Sequence, residues 1–211
     1  MIDYLEQRPL LRFTLAVFAL LPACFVVWYF LGNFIAAPAV VLAEPILLAW
    51  LGDSIASVSL QGTDMLVLTH YGEDGGRTMS ASTAGNQLGY PIDTRTLSYS
   101  IPFFTALHIA TPMRGSWEKF AWCLLSLWVL LALGLLSTTL KNLMLGIGGP
   151  FMEQTSVPPA DMIALAYQFS TLMVPPLAPV LLWAYTAKDS PTFVALLPDA
   201  LKSGSSADTS T

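Results

Sequence analysis

His108, Glu44, Cys24 and Cys123 are the residues whose side chains could do chemistry from within apolar sequence. An ionisable group inside a membrane-spanning segment costs about 2–3 kcal/mol or more when charged, so by default it marks a functional site. His108 lies in DTRTLSYSIPFFTALHIATPMR, Asp93 to Arg114, where Arg95 and Arg114 bracket eighteen uncharged residues. Glu44 lies between Pro38 and Pro45 in FIAAPAVVLAEPILLAWL. Together they would suit a proton or ion path. The plainer readings are a neutral imidazole bonded to a neighbouring helix and a carboxylate at the headgroup boundary. A cysteine with His108 and Arg114 raises a second chemistry. A thiolate, a base that takes its proton and a cation on the oxyanion would make a transpeptidase or protease centre. Both cysteines sit in apolar runs, however, where a buried thiol is usually a small hydrophobe. His70 follows a strand pattern and precedes Tyr71 and Gly72, a loop position, and two histidines without shared spacing make no metal site. No Gly-rich phosphate loop, HExxH or GxSxG motif occurs. The sequence therefore names no catalytic residue, metal or cofactor. His108 and Glu44 remain as speculative functional polar residues.

The elements that must carry these residues are membrane helices. Of 211 residues, 55% are hydrophobic and 11% charged, against about 25% charged in ordinary soluble domains. Charge-free runs cover Phe13–Leu31, Ala121–Leu140 and Met162–Ala187, each long enough for the ~20 residues that cross a bilayer. Net charge is −5 without a basic run, so nucleic-acid binding is not expected. Arg8 and Arg12 precede the first run as in a signal peptide, but the run is too long for an h-region and predicts an uncleaved anchor. Phe34–Leu51 carries Pro38, Pro45 and Glu44, which predicts a broken helix lying in the interface. Leu97–Met113 is at the lower length limit for a span. Met144–Met152 is expected near the interface, and the Pro-rich MVPPLAPV kinks the last helix.

Between these apolar parts, Ser54–Thr83 alternates apolar and polar residues about turns at Gln61-Gly62-Thr63 and Gly72–Gly76, the signature of a small β-meander. TAGNQLGYP reads as loop. Some 45 residues bury little core alone, so the meander is expected to rest on the membrane or on a partner. The fold class is then a mainly α membrane protein. About four transmembrane helices (13–31, 97–113, 117–140, 162–187) accompany an interfacial broken helix and a small extracytoplasmic β-meander. Four parts follow: residues 1–51, anchor and interfacial helix; 52–96, β-rich loop; 97–187, three-helix membrane region; 188–211, a cytoplasmic, largely disordered tail. Both termini are cytoplasmic in this reading. Arg8, Arg12, Arg114, Lys119, Lys188 and Lys202 are then inside and Arg77, Arg95 and Lys141 outside, as the positive-inside rule requires.

The order of features carries a resemblance. RPLLRFTLAVFALLPACFVVWYFL leads a small β-rich loop. LSYSIPFFTALHIATP precedes a basic turn, and AYQFSTLMVPPLAPVLLWAY closes the apolar sequence. Over residues 8–187 the chain resembles the exosortase H-associated membrane proteins found beside exosortases in Gram-negative bacteria. The sharpest parts are Tyr-Ser-Ile-Pro and Pro-Leu-Ala-Pro-Val-Leu-Leu-Trp. The resemblance implies a non-catalytic accessory of a C-terminal sorting and cleavage system in the inner membrane. It would contact membrane lipid and an exosortase-like membrane protein, and no catalytic residue carries over. A transporter or channel subunit using Glu44 and His108 is the alternative, and a membrane transpeptidase or protease the third.

Overall fold

The computed structural model describes residues 9–75, 77–111 and 117–196. Pro9–Leu51 form a single helix of 43 residues, α1. At 1.5 Å per residue it is roughly 64 Å long, about twice the ~30 Å thickness of a hydrocarbon core. The break expected at Phe34–Leu51 does not occur: the helix runs on through Pro22, Pro38 and Pro45. Each proline removes one N–H and crowds the carbonyl four residues back, at Phe18, Phe34 and Val41. Those three residues face outward, 71%, 78% and 66% exposed, so the freed carbonyls can tilt away without ending the helix. The opposite face holds the upper half in place. Gly32, Ala36, Ala39, Ala43, Leu47 and Leu51 recur at three- and four-residue spacing and are buried.

That buried stripe supports the β-structure. Strands β1 (Ile55–Gln61), β2 (Asp64–Thr69) and β5 (Gly89–Asp93) form an antiparallel sheet in the order β1-β2-β5. A separate hairpin, β3 (Tyr71–Asp74) with β4 (Arg77–Ser80), is inserted between them, followed by the turn of helix α2 (Ala81–Ala84). The predicted turn is confirmed: Gln61 pairs with Asp64 across a two-residue loop, and Gly62 takes φ 61°, as such hairpins favour. β5 falls in the sequence read as loop. It is an edge strand, the one place in a sheet where Pro91 costs no ladder bond. Ile55, Val58, Met65, Val67 and Ile92 join Ala39, Ala43 and Leu47 in one core cluster, so the sheet's first support is the chain's own helix. The hairpin comes down α1 as far as Gly32, where an added Cβ would lie 3.2 Å from Thr63 Cγ2.

Beyond the sheet, helix α3 (Arg95–Ser98) runs almost directly into α4 (Ser100–Ala110), because Tyr99 between them is itself right-handed helical. The sixteen residues reach about 24 Å, short of a hydrocarbon core on their own. Among the described residues three helices are long and apolar enough to cross: Leu10–Leu51, Trp117–Gly146 (α5) and Ala160–Ala187. The last comprises α7 (Ala160–Gln168), a π turn Phe169–Met173 and α8 (Val174–Ala187). The wider turn precedes Pro175 and Pro176, which occupy the first turn of α8. It absorbs the missing N–H groups at the expected kink. Short helices α6 (Gly149–Met152) and α9 (Pro191–Leu196) complete the fold. The order of ends is fixed by contacts. Phe13 stacks on Trp183 at 5.3 Å, and the Trp183 indole donates to Thr111 Oγ1 at 2.8 Å. α1 and α5 therefore start, and α4 and α8 end, at one pole. At the other, the Trp50 indole donates to the Ser156 carbonyl at 2.9 Å.

Candidate functional site

The residues expected to do chemistry are not brought together. His108 is buried on α4, its ring 5.5 Å from Phe104 and 5.0 Å from Phe120. It lies one turn from Thr111, at the pole where α1 begins. Glu44 is half-buried in the upper part of α1, beside the sheet. From Phe13 to Glu44 the helix climbs 31 residues, about 46 Å, so the two residues occupy opposite poles. Cys123 is buried in the core and Cys24 half-buried at a groove beside Trp28 and Thr105. Arg114 lies outside the described residues, as do Arg8, Lys202 and the tail from 197. Among the described residues no group of three or more His, Cys, Asp or Glu is placed to hold a metal. The exposed His70 works through its backbone, its N–H donating to Ser54 and its carbonyl accepting from Ala81.

Polar order is concentrated instead at two places. At the upper pole Gln154 Nε2 donates to Ser54 Oγ at 2.8 Å, to Tyr71 Oη at 3.3 Å and to the Pro150 carbonyl at 3.3 Å. This ties the 150s loop to the end of α1 and to β3. Nearby, Tyr90 on β5 packs where a Cβ on Gly146 would stand, so any larger residue there would have to displace the Tyr90 ring. Burial pushes the Tyr90 phenol up from its ordinary value of 10.0, and the Glu73 carboxylate adds to this.

The second place is a pocket of about 230 Å³ between β5, α3, α5 and the π turn. Asp93 and Thr96 line one side; Lys141, Asn142 and Tyr167 line the other. Asp93 is preset: its Oδ1 accepts the Arg95 N–H at 2.9 Å and its Oδ2 the Thr96 hydroxyl at 3.3 Å. Lys141 Nζ stands 4.8 Å from the Tyr167 ring centroid. Neither charge has an ion-pair partner among the described residues. These residues were passed over in the sequence. The available signal was positional: Asp93–Arg95 and Lys141 each end a charge-free run, and antiparallel helices put those ends at one level.

The sharpest stretches of the sequence also meet. Tyr-Ser-Ile-Pro opens α4, and Pro-Leu-Ala-Pro opens α8. Ser100 from the first and Ala178 from the second surround one small cavity with Leu97 and Pro175. The stretches form a helix crossing. The description "exosortase H-associated membrane protein" matches residues 7–190. The chain belongs to that family. No curated protein and no solved structure matches it. This exosortase H-associated membrane protein exposes apolar side chains along α1, α5 and α7, above as well as below the level at which the sheet begins.

Proposed function

We infer that this protein is a non-catalytic accessory of an exosortase-type system, held in the inner membrane and binding the exosortase through apolar helix faces. The observation that carries the reading is the excess length of α1. Phe13–Leu31, below the sheet, gives about 28 Å of helix, enough to cross the hydrocarbon. Above Gly32 the helix continues for nineteen residues, and the face turned from the sheet remains apolar. Phe34, Val41, Leu42 and Ile46 are exposed there, as are Met162 and Leu165 on α7. Contiguous exposed apolar surface outside lipid marks a protein interface, and the family's name supplies the kind of partner.

In this reading the pole holding Phe13 and Trp183 is cytoplasmic, with both termini, and the sheet lies across the membrane. Arg12, Lys119 and Lys188, with Arg8, Arg114 and Lys202 in sequence, then face the cytoplasm against Arg77, Arg95 and Lys141 outside, in keeping with the positive-inside rule. Residues 95–110 cross as a short, buried fourth segment. The test is a photo-crosslinking residue placed at Val41 or Leu165 in cells expressing the cognate exosortase. Capture of the exosortase from these sites, and not from Glu73 on the inserted hairpin, is expected. Adducts with lipid alone, together with failure to co-purify, would overturn the reading.

A further inference from the structure

We propose that the pocket at Asp93 and Lys141, with the apolar pocket below it, binds one zwitterionic phospholipid. Its ammonium lies on the Asp93 side, its phosphate on Lys141, and one acyl chain runs beneath. The proposal rests on the membrane placement above but not on the exosortase contact. Opposite charges face one pocket and no described residue neutralises either. Asp93 is held by two hydrogen bonds, and its cross-strand neighbour is a second carboxylate, Asp64. Two carboxylates side by side favour a cation, while Lys141, held over Tyr167, supplies the complementary charge for an anion. A ligand with both charges satisfies the site; an anionic lipid leaves Asp93 opposed by like charge. Thr171 Oγ1, also at this pocket, is buried without a hydrogen-bond partner.

The depth fits a headgroup. Lys141 directly follows the charge-free Ala121–Leu140, and Asp93 and Arg95 directly precede the charge-free Thr96–Met113. Arg95 also stacks over the Tyr29 ring of α1 at 4.7 Å, an aromatic of the kind that sits at the interface. The site continues downward. Thr96, Tyr99 and Phe103 lie at i, i+3 and i+7 on one face of the α3–α4 run. Thr96 lines the polar pocket; Tyr99 and Phe103 line an apolar pocket of about 490 Å³, walled by Phe18, Phe25 and Pro176. That pocket borders the part of α1, Leu10 to Leu31, in which no residue is fully buried.

Native mass spectrometry of the full chain, released from detergent after titration, tests this. The probes are phosphatidylethanolamine, phosphatidylglycerol with the same chains, and free phosphoethanolamine. One phosphatidylethanolamine should be retained at least about tenfold more tightly than phosphatidylglycerol, the difference expected for an uncompensated charge. Lys141→Met, which keeps packing on Tyr167, and Asp93→Asn, which keeps an acceptor for the Arg95 N–H, should each reduce retention about tenfold. Lys188→Ala at the other pole should not. Circular dichroism confirms that the variants fold. Equal retention of phosphatidylglycerol, or unchanged retention in both variants, overturns the proposal. Binding of free phosphoethanolamine as tight as the lipid also overturns it, because the acyl chain would then contribute nothing. Exosortase crosslinking is read in the same variants. Lost lipid with retained crosslinking supports a lipid site separate from the partner face; unchanged lipid with lost crosslinking counts against it.

Discussion

Gln154 is a single side chain that fastens a loop to the end of α1 and to β3. Gln154→Ala removes its bonds to Ser54 and Tyr71 and leaves the Ser54 hydroxyl unpaired. A loss of about 1–3 kcal/mol is expected, read as a lower midpoint in thermal unfolding in detergent; an unchanged midpoint would show that water replaces the amide. Trp183 combines stacking on Phe13 with a bond to Thr111. Trp183→Phe should therefore cost only about 1 kcal/mol, the bond alone, while Trp183→Ala costs about 3–5 kcal/mol through the cavity. Tyr90 gives a pH dependence. Its folded value is raised by burial first and Glu73 second, so its contribution is complete below 10.0 and is lost as pH rises through the folded value. Tyr90→Phe should flatten the alkaline limb of the stability profile, and persistence of that limb would assign it to another group.

At the scale of elements, α1 shows how two prolines, Pro38 and Pro45, can be read wrongly. Their spacing is compatible with breaks, but each sits where its freed carbonyl faces outward, and the inward stripe of Gly32, Ala36, Ala39 and Ala43 is packed. Gly32 is the point at which hairpin and helix touch. Gly32→Leu would drive a side chain into Thr63 and Arg95, with an overpacking cost of about 1–3 kcal/mol. Hydrogen exchange should then rise in β1 and β2 while the amides of α5 stay protected. Uniform loss of protection in both would show that hairpin and helices unfold as one unit. Pro38→Ala, by contrast, restores an N–H without touching the packed face, so helicity should be kept or rise; a fall would mean that the kink itself positions the sheet.

For the whole molecule, the proposed orientation makes a definite prediction about sidedness. In a Cys24→Ala, Cys123→Ala background, a single cysteine replacing Gly75, at the tip of the inserted hairpin, should react with a membrane-impermeant maleimide on intact cells with permeabilised outer membranes. One replacing Asp189, exposed just beyond α8, should not. Labelling of both would break the alternation of ends, and the reverse pattern would invert the protein. The same background tests the cysteines. The double variant should retain fold and exosortase capture, since Cys123 only fills core and Cys24 lines a groove; loss of capture at normal membrane levels would give a thiol a role.

Composition and charge-free runs were enough to make this a membrane protein, because the cost of placing charge in hydrocarbon is local and each residue contributes it independently of fold. The same holds for the β1–β2 hairpin, whose alternation and Gly62 turn are properties of a few neighbouring residues. The sequence could not tell that Phe34–Leu51 continues a helix. Whether a proline breaks a helix depends on what packs on the opposite face, and that is a sheet contributed by residues 55–93. β5 was hidden for a related reason: Pro91 is acceptable only at an edge, and the edge is defined by pairing with β2. His108 and Glu44 drew attention by type, yet the length of α1 sets them at opposite poles. Asp93 and Lys141, unremarkable in sequence and 48 positions apart, come to line one pocket because β5 runs alongside the last turns of α5. Distances along the chain decide what is apolar; only the packing of antiparallel helices decides which charges meet.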